Sequence, residues 1–483
     1  MSKTPYDKTS SESILNHARK LLGKSIHELY PSATPLNTGK GGLGQCVEHY
    51  HFGYEINSTN EADFREAGVE LKCTPLKRVK DGSMVSKERL VLNIINYLEE
   101  SDKNFETSSF TRKNALLLLM FYLHIAGVDN LDFVFKIIRL WKIPEDDLKI
   151  FKDDWNVIHE KIARGLAHEL SEGDTLYLAA CVKGSKGGGN KKRQKEGGVL
   201  ADQRAYSIKS AYLNHIIVDS LSYPEMFDAV KMTASQKNAI RKRKTALGNA
   251  VKSIQEYKKG ETFEQLVKRR FLPYIGMTVA EIANKLKTPI SSSPKAVSYS
   301  VCRAILGVKE RHIAEFEKAG LQLKTIRLEH NGTLKEAMSF QSIKYGEIVD
   351  EDEWEDSDWY ETIAAKRFLF IVFRKSQGGA PEDSVLAKIF FWSMPHKDME
   401  ATKAFWRDTR DKVRIGDYNH FLKSSEHPVC HVRPKAKNAA DTTATPQGGK
   451  AKKYCYWLNR SYVLNLVNSH IFNEGDSIHK NDV

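Results

Sequence analysis

The stretch ADFREAGVELKCTP, residues 62 to 75, returns as AEFEKAGLQLKTIR at residues 314 to 327, with Gln322 where the first has Glu70. In the first string the apolar positions Val69, Leu71 and Cys73 alternate with Glu70 and Lys72, which predicts a β-strand with one packed face and one polar face. The same alternation persists around Gln322 and Lys324. Matched landmarks on either side keep a nearly constant separation: Gly23 with Gly276, Phe64 with Phe316, Trp141 with Trp392, Pro144 with Pro395, Trp155 with Trp406 and Gly165 with Gly416. Tryptophan and proline are rare, so a shared spacing of this kind marks a duplication. The chain therefore reads as two related domains, 1–220 and 262–483, joined by a basic linker at 221–261.

Each copy is expected to be α/β, a central mixed sheet flanked by helices. Helices are predicted over Ser11 to Leu22 and Thr262 to Leu272, and strands around Val69 to Thr74, Leu90 to Ile95 and Leu116 to Leu123. After Pro144, the residues Leu148, Phe151, Trp155, Ile158 and Ile162 recur at helical spacing and predict an amphipathic helix packed by that stripe. In the linker, Ile240, Leu247, Val251 and Ile254 predict a second, narrower helix with a basic face. The Gly-rich basic stretches at 184–198 and 445–453 read as mobile loops.

With 483 residues, of which 41% are hydrophobic, the chain can build sizeable cores, and its net charge of +13 gathers in runs such as Lys191-Lys192-Arg193 and Arg241-Lys242-Arg243-Lys244. Such charge fits a polyanionic partner, with nucleic acid foremost, and equally a solvated basic surface with no partner, so on its own it only opens the question. The six cysteines show no CxxC spacing, which speaks against a zinc module or a disulfide scaffold. The N-terminus lacks an apolar signal core, and the longest apolar run, Ala115 to Leu123, is too short to span a bilayer. The expectation is a cytoplasmic protein without a membrane partner.

Glu70 and Lys72 leave the same strand face, and a carboxylate from a neighbouring segment, Asp63, would complete a hard oxygen site of the kind that suits magnesium. Asp, six residues, then Glu-x-Lys is an arrangement fit for phosphodiester hydrolysis, with a lysine to orient or deprotonate water. Standing alone, that spacing is weak, since surface charge pairs produce it by chance. The apolar alternation around it and the altered second copy strengthen the reading.

GLGQCVEHYHFG, FREAGVELKCTP, ETSSFTRKN and the Lys183 segment together resemble MutH and the related type II restriction endonucleases that cut at GATC. The two-copy layout is similar to the larger Sau-type enzymes, since MutH has one copy. The resemblance implies Mg2+-dependent hydrolysis of double-stranded DNA at GATC, leaving 5′-phosphate and 3′-hydroxyl ends. It implies metal binding at Asp63, Glu70 and Leu71, a catalytic lysine at Lys72, an acid on the preceding helix at Glu48 and a further lysine at Lys113. The DNA-reading Arg-Pro-Lys of MutH matches Arg433, Pro434 and Lys435, whereas the first copy has Cys181-Val182-Lys183. Lys183 and Arg204 are the first copy's candidate DNA contacts.

Glu315 replaces Asp63 and Gln322 replaces Glu70, so the second copy is expected to bind DNA as an effector without cutting it. A single intact site implies transient homodimerisation on a palindrome, and a restriction system implies a cognate methyltransferase. A strand nickase of mismatch repair and a silent DNA-binding regulator are the alternatives left open.

Overall fold

The computed structural model describes the chain apart from residues 1–4, 38–40, 55–60, 80, 184–189, 228–245, 292, 294–295, 436–437, 439–440 and 471–483. It divides into two compact units. Unit 1 comprises residues 1–170, 175–249 and 310–320, and unit 2 comprises 171–174, 250–309 and 321–483.

In unit 1, β1 (Val69–Arg78), β2 (Met84–Ser86), β3 (Leu90–Ile94), β4 (Leu116–Leu123), β5 (Phe135–Trp141), β6 (Leu178–Val182), β7 (Lys191–Lys192), β8 (Ala201–Asp202) and β9 (Arg204–Ile208) follow in order. Four of them make a mixed sheet in the order β2-β1-β4-β5, where β1 and β4 run parallel and the outer pairs are antiparallel. A separate antiparallel sheet has the order β3-β9-β6. The single central sheet expected from the sequence is thus divided in two. Leu117 to Phe121 of β4 are fully buried, as a strand covered on both faces requires.

β10 (Leu247–Gly248) and β11 (His312–Ile313) form a short parallel pair that also belongs to unit 1. In unit 2 the strands are β12 (Gln322–Leu328), β13 (Met338–Ser342), β14 (Phe368–Arg374), β15 (Val385–Trp392), β16 (Cys430–Pro434), β17 (Thr442–Ala444), β18 (Lys450–Lys452) and β19 (Tyr454–Leu458). The sheets β12-β14-β15 and β13-β19-β16 repeat the pairing of β1-β4-β5 and β3-β9-β6, and among the described residues no strand takes the place of β2 beside β12. The register repeats as well, for Glu70 lies opposite Leu117 and Gln322 opposite Phe368. Gly68 and Gly320 both adopt positive φ, 63° and 60°, at the turn into β1 and β12, a conformation that costs glycine little.

Ser10 caps the helix Ser11–Ala18 by accepting from the Ser13 N–H, and Thr262 caps Phe263–Phe271 in a reciprocal box with Gln265. The helix after Pro144 runs Glu145–Ala163, and Pro395 precedes its counterpart His396–Arg414. Phe151, Trp155, Ile158 and Ile162 face the core, but Leu148 is 41% exposed. Asp147 takes the inner place at the first turn, accepting from the Tyr212 hydroxyl at 2.8 Å. Further along, buried Asp154 accepts from the backbone N–H groups of Leu176, Tyr177 and Leu178 at 2.8, 2.6 and 2.9 Å, which fixes the entry into β6.

The linker expectation fails where it can be followed. Ile240 and the basic run 241–244 lie outside the described residues, whereas Leu247 sits in β10 and Ile254 begins a 3-10 turn with 57% exposure. The Gly-rich basic stretches are also more ordered than expected. Beyond residues 184–189, which are outside the described ones, β7 pairs with β8, and Gln194 is buried, accepting from the Ala167 N–H at 2.6 Å and donating to the Val199 carbonyl at 2.7 Å. Residues 445–449 form the tight turn of the β17-β18 hairpin. The described parts of both basic stretches, from residue 190 in the first, therefore belong to hairpins, whose backbone pairing outweighs their loop-like composition.

Candidate active site and DNA-reading strand

β1 has an open edge where the site forms. β4 pairs along one side from Val69 to Leu76, while β2 covers only Leu76 to Arg78 on the other. The uncovered stretch needs partners for its backbone, and Asp63 supplies one: its Oδ2 accepts from the Leu71 N–H at 2.8 Å. Because the N–H and C=O of one strand residue point to the same side, the Leu71 carbonyl lies on the edge that Asp63 occupies.

Val69 and Leu71 enter a core cluster with Leu43, Val47, Phe52 and Phe64. Glu70 leaves the opposite face, yet it is 2% exposed. Its Oε1 accepts from Lys72 Nζ at 2.6 Å and lies 3.6 Å from Lys113 Nζ, while its Oε2 accepts from the Asp63 N–H at 3.3 Å. Lys113 comes from the last turn of the helix Ser109–Asn114, which Ser108 caps. Glu48 lies in a π-helical turn, Val47–His51, that continues the helix Gly42–Cys46. Such turns cluster at functional positions because they displace a side chain from regular helical spacing.

Electrostatics ties these groups together. Burial pushes the Glu48 carboxyl up to about 7, with the negative charges of Asp63 and Glu70 adding to the rise and Lys72 and Lys113 opposing it. Burial likewise raises Glu70, aided by Asp63 and opposed chiefly by Lys72. Two carboxyls that resist ionisation through desolvation and mutual repulsion form a donor set that gains from a divalent cation. The residues fit a hard metal: carboxylates at Glu48, Asp63 and Glu70, and a carbonyl at Leu71. The three carboxylates are not drawn into one tight cluster, and Glu70 is engaged by lysine. Among the described residues the His/Asp group within 4.8 Å is His27, Asp129 and Asp132, a local tie in which His27 Nδ1 meets Asp132 at 2.7 Å.

The corresponding positions of unit 2 carry different chemistry. Gln322 is exposed at the start of β12, and Lys324 follows on the same face. The helix Val297–Leu306, counterpart of the one bearing Glu48, has no acidic residue. Glu315 is buried in the short helix Ala314–Ala319, which belongs to unit 1. A pocket beside Gln322 and Lys324 is lined also by Ser339, Gln341, Thr362, Lys366 and Lys435, without a carboxylate.

Arg433, Pro434 and Lys435 project at the end of β16, all exposed. The Arg433 guanidinium and the Lys435 ammonium lie 5.3 and 5.8 Å from the Trp457 ring centre on β19, and Lys435 donates to Ser339 Oγ at 2.9 Å. In unit 1 the place of Arg433 belongs to Cys181, fully buried, and Lys183 is exposed with its N–H bonded to the Gln203 carbonyl. Arg204 is another matter: it is 6% exposed and donates from Nη1 to the Ala180 carbonyl at 2.6 Å. A guanidinium committed to the sheet interior is poorly placed to meet a phosphate, which counts against the DNA contact expected there.

Sequence reading did not foresee the edge-capping bond of Asp63, the π turn under Glu48 or the inclusion of Lys366 in the second pocket. Only the first had a signal, an acid preceding a strand whose neighbours leave its edge uncovered.

The family model "DNA mismatch repair enzyme MutH" matches residues 52–154 and again 307–404, once in each copy. The type II restriction enzyme Sau3AI from Staphylococcus aureus is 33% identical over 93% of this chain and 93% of its own length. The DNA mismatch repair protein MutH from Shewanella woodyi is 28% identical over 36% of this chain and 77% of its own, and MutH from Vibrio vulnificus is 26% identical over 38% and 81%. The MutH proteins thus align with part of the chain, whereas the restriction enzyme aligns with nearly all of it, and the chain belongs to the MutH-related type II restriction endonucleases.

Proposed function

We propose that unit 1 hydrolyses double-stranded DNA at GATC with Mg2+, and that unit 2 binds the same DNA as an effector without cutting it. The observation that carries this reading is the buried Glu70 carboxylate, held between two lysines beside the edge-capping Asp63, in one unit only. Bound at Asp63, Glu70 and the Leu71 carbonyl, with Glu48 nearby, Mg2+ would neutralise charge on the scissile phosphate and acidify water. Lys72 is the group to orient or deprotonate the attacking water. Lys113, reaching Glu70 from a different helix, is suited to hold a phosphate oxygen. Hydrolysis adds water across the P–O3′ bond and leaves a 5′-phosphate and a 3′-hydroxyl.

Arg433, Pro434 and Lys435 are the proposed base-reading residues of unit 2, since an exposed guanidinium on a strand end can make two bonds to a guanine edge. Lys183 is the corresponding contact of unit 1. One cutting site per chain is the reason to propose a transient homodimer on DNA. A cognate methyltransferase would protect the host sequence. No helix among the described residues is long and apolar enough to cross a membrane. The test is digestion of GATC plasmids with Mg2+ by the parent chain and by Asp63→Ala. Linear product bearing 5′-phosphate ends, lost in the variant, is the expected result. Accumulation of nicked circles alone would favour a nickase.

A further inference from the structure

The pocket of unit 2 holds about 450 Å³ and sits where unit 1 has its carboxylates. Lys324, Lys366 and Lys435 line it, together with the neutral groups of Gln322, Ser339, Gln341 and Thr362. Of the lining, Gln341 donates from Nε2 to the Asp358 carboxylate at 3.2 Å. Lys324 is half-buried, and its ammonium lies 4.4 Å from the centre of the Phe340 ring. The ring face holds the cation in position but does not cancel its charge. Lys435 is steadied at the rim by Ser339.

Within unit 1, each lysine meets Glu70. In unit 2, among the described residues, no ion pair forms at Lys324, and burial together with the charge of Lys435 lowers its pKa. Lys324 and Lys366 are half-buried and Lys435 is exposed at the rim, and a buried ammonium pressed by a neighbouring one gains from an anion and disfavours a divalent cation. Lysine suits a phosphate as a point charge, and the neutral donors alongside satisfy its remaining oxygens.

We infer that this altered catalytic pocket is a metal-independent phosphodiester site, in which Lys324, Lys366 and Lys435 hold one backbone phosphate of DNA. The inference rests on the proposed DNA binding by unit 2. It adds that the duplicated site kept the phosphate and lost the metal, so that Gln322 makes the pocket a clamp.

The test uses the full-length chain carrying Asp63→Ala, so that DNA stays intact, and a GATC duplex with single methylphosphonate linkages scanned through it, in EDTA. One linkage is expected at which removing the phosphate charge weakens binding about tenfold in the parent and less than twofold in Lys324→Ala and Lys366→Ala. Lys324→Arg should keep the penalty, which separates lost charge from lost folding. Replacing EDTA by Ca2+ should leave that penalty unchanged, and a penalty seen only with Ca2+ would overturn metal independence. If the lysine variants keep the full penalty at every linkage while Arg433→Ala still weakens binding, unit 2 reads DNA and the pocket is no phosphate site. If Arg433→Ala is equally without effect, the DNA-reading role of unit 2 fails, and the inference with it.

Discussion

β1 and β12 are equivalent strands of two separate sheets, pair with their parallel neighbours in the same register and begin from glycines of the same conformation. They differ in what surrounds one lysine. Lys72 donates to a buried carboxylate at 2.6 Å, whereas Lys324 faces an aromatic ring and two further lysines around a pocket free of acids. A fold can thus retain its scaffold while reversing the sign of the charge it welcomes. On the proposed reading, the first arrangement attracts a cation and, through it, a reacting phosphate, and the second attracts the phosphate directly.

The largest effects should come from the cutting side of this contrast. Lys72→Ala is expected to lower the cleavage rate by about a thousandfold with binding in Ca2+ little changed, in line with removal of one preorganised group from an active site. Plasmid cleavage set against gel-shift affinity checks it, and a parallel loss of both would recast Lys72 as a binding residue.

Next in size is a pH effect that only unit 1 should show. The Glu48 carboxyl is raised from its ordinary 4.5 to about 7, so it carries a proton below that pH and, in the proposed site, is a carboxylate available to the metal above it. Cleavage at limiting Mg2+ should climb about tenfold per pH unit up to about 7 and then level. Glu48→Gln should remove the inflection. Stability runs the other way. The folded chain binds this proton more tightly than the unfolded one, so its stabilising contribution is complete below 4.5 and is lost as pH rises through about 7. Melting of the metal-free protein should therefore weaken between pH 5 and pH 8, by about the same pH interval over which cleavage rises, and Mg2+ should offset the loss.

On the reading side, Arg433→Ala should weaken binding to a GATC duplex by about tenfold while sparing unrelated duplexes, the discrimination of one base contact. Equal weakening on every sequence would assign Arg433 to the backbone instead. Smallest of all, Gln322→Glu should weaken metal-free DNA binding by about threefold through one added negative charge. It should not create a second cutter, because the helix Val297–Leu306 still has no acid. Faster cleavage by this variant would show that the glutamine alone disabled unit 2.

Much of this contrast was legible in the chain itself. Alternation around Val69 and Leu71 announces a strand with Glu70 and Lys72 on one face, and tryptophan and proline spacing announces the second copy. What escaped was tertiary. Leu148 matches the helical stripe, but the inner place went to Asp147 because the Lys318 ammonium and the Tyr212 hydroxyl satisfy its carboxylate. Arg204 is a candidate DNA contact in the sequence, but the Ala180 carbonyl claims its guanidinium. The two basic stretches read as loops because composition carries no record of backbone pairing, which made hairpins of their described parts. Lys366 has no motif of its own, and only the fold carries it to Lys324 and Lys435.

The division of labour between the units is tested most directly by Glu70→Gln, which gives unit 1 the residue that unit 2 already has. The measurement is cleavage and binding of one GATC duplex by the parent and this variant, with Mg2+ for the first and Ca2+ for the second. The account predicts that cleavage is abolished while affinity stays within about threefold of the parent, since unit 2 and the lysines of unit 1 remain. Cleavage at a rate near that of the parent would contradict it, for the cut would then be made without the carboxylate that sets the two units apart.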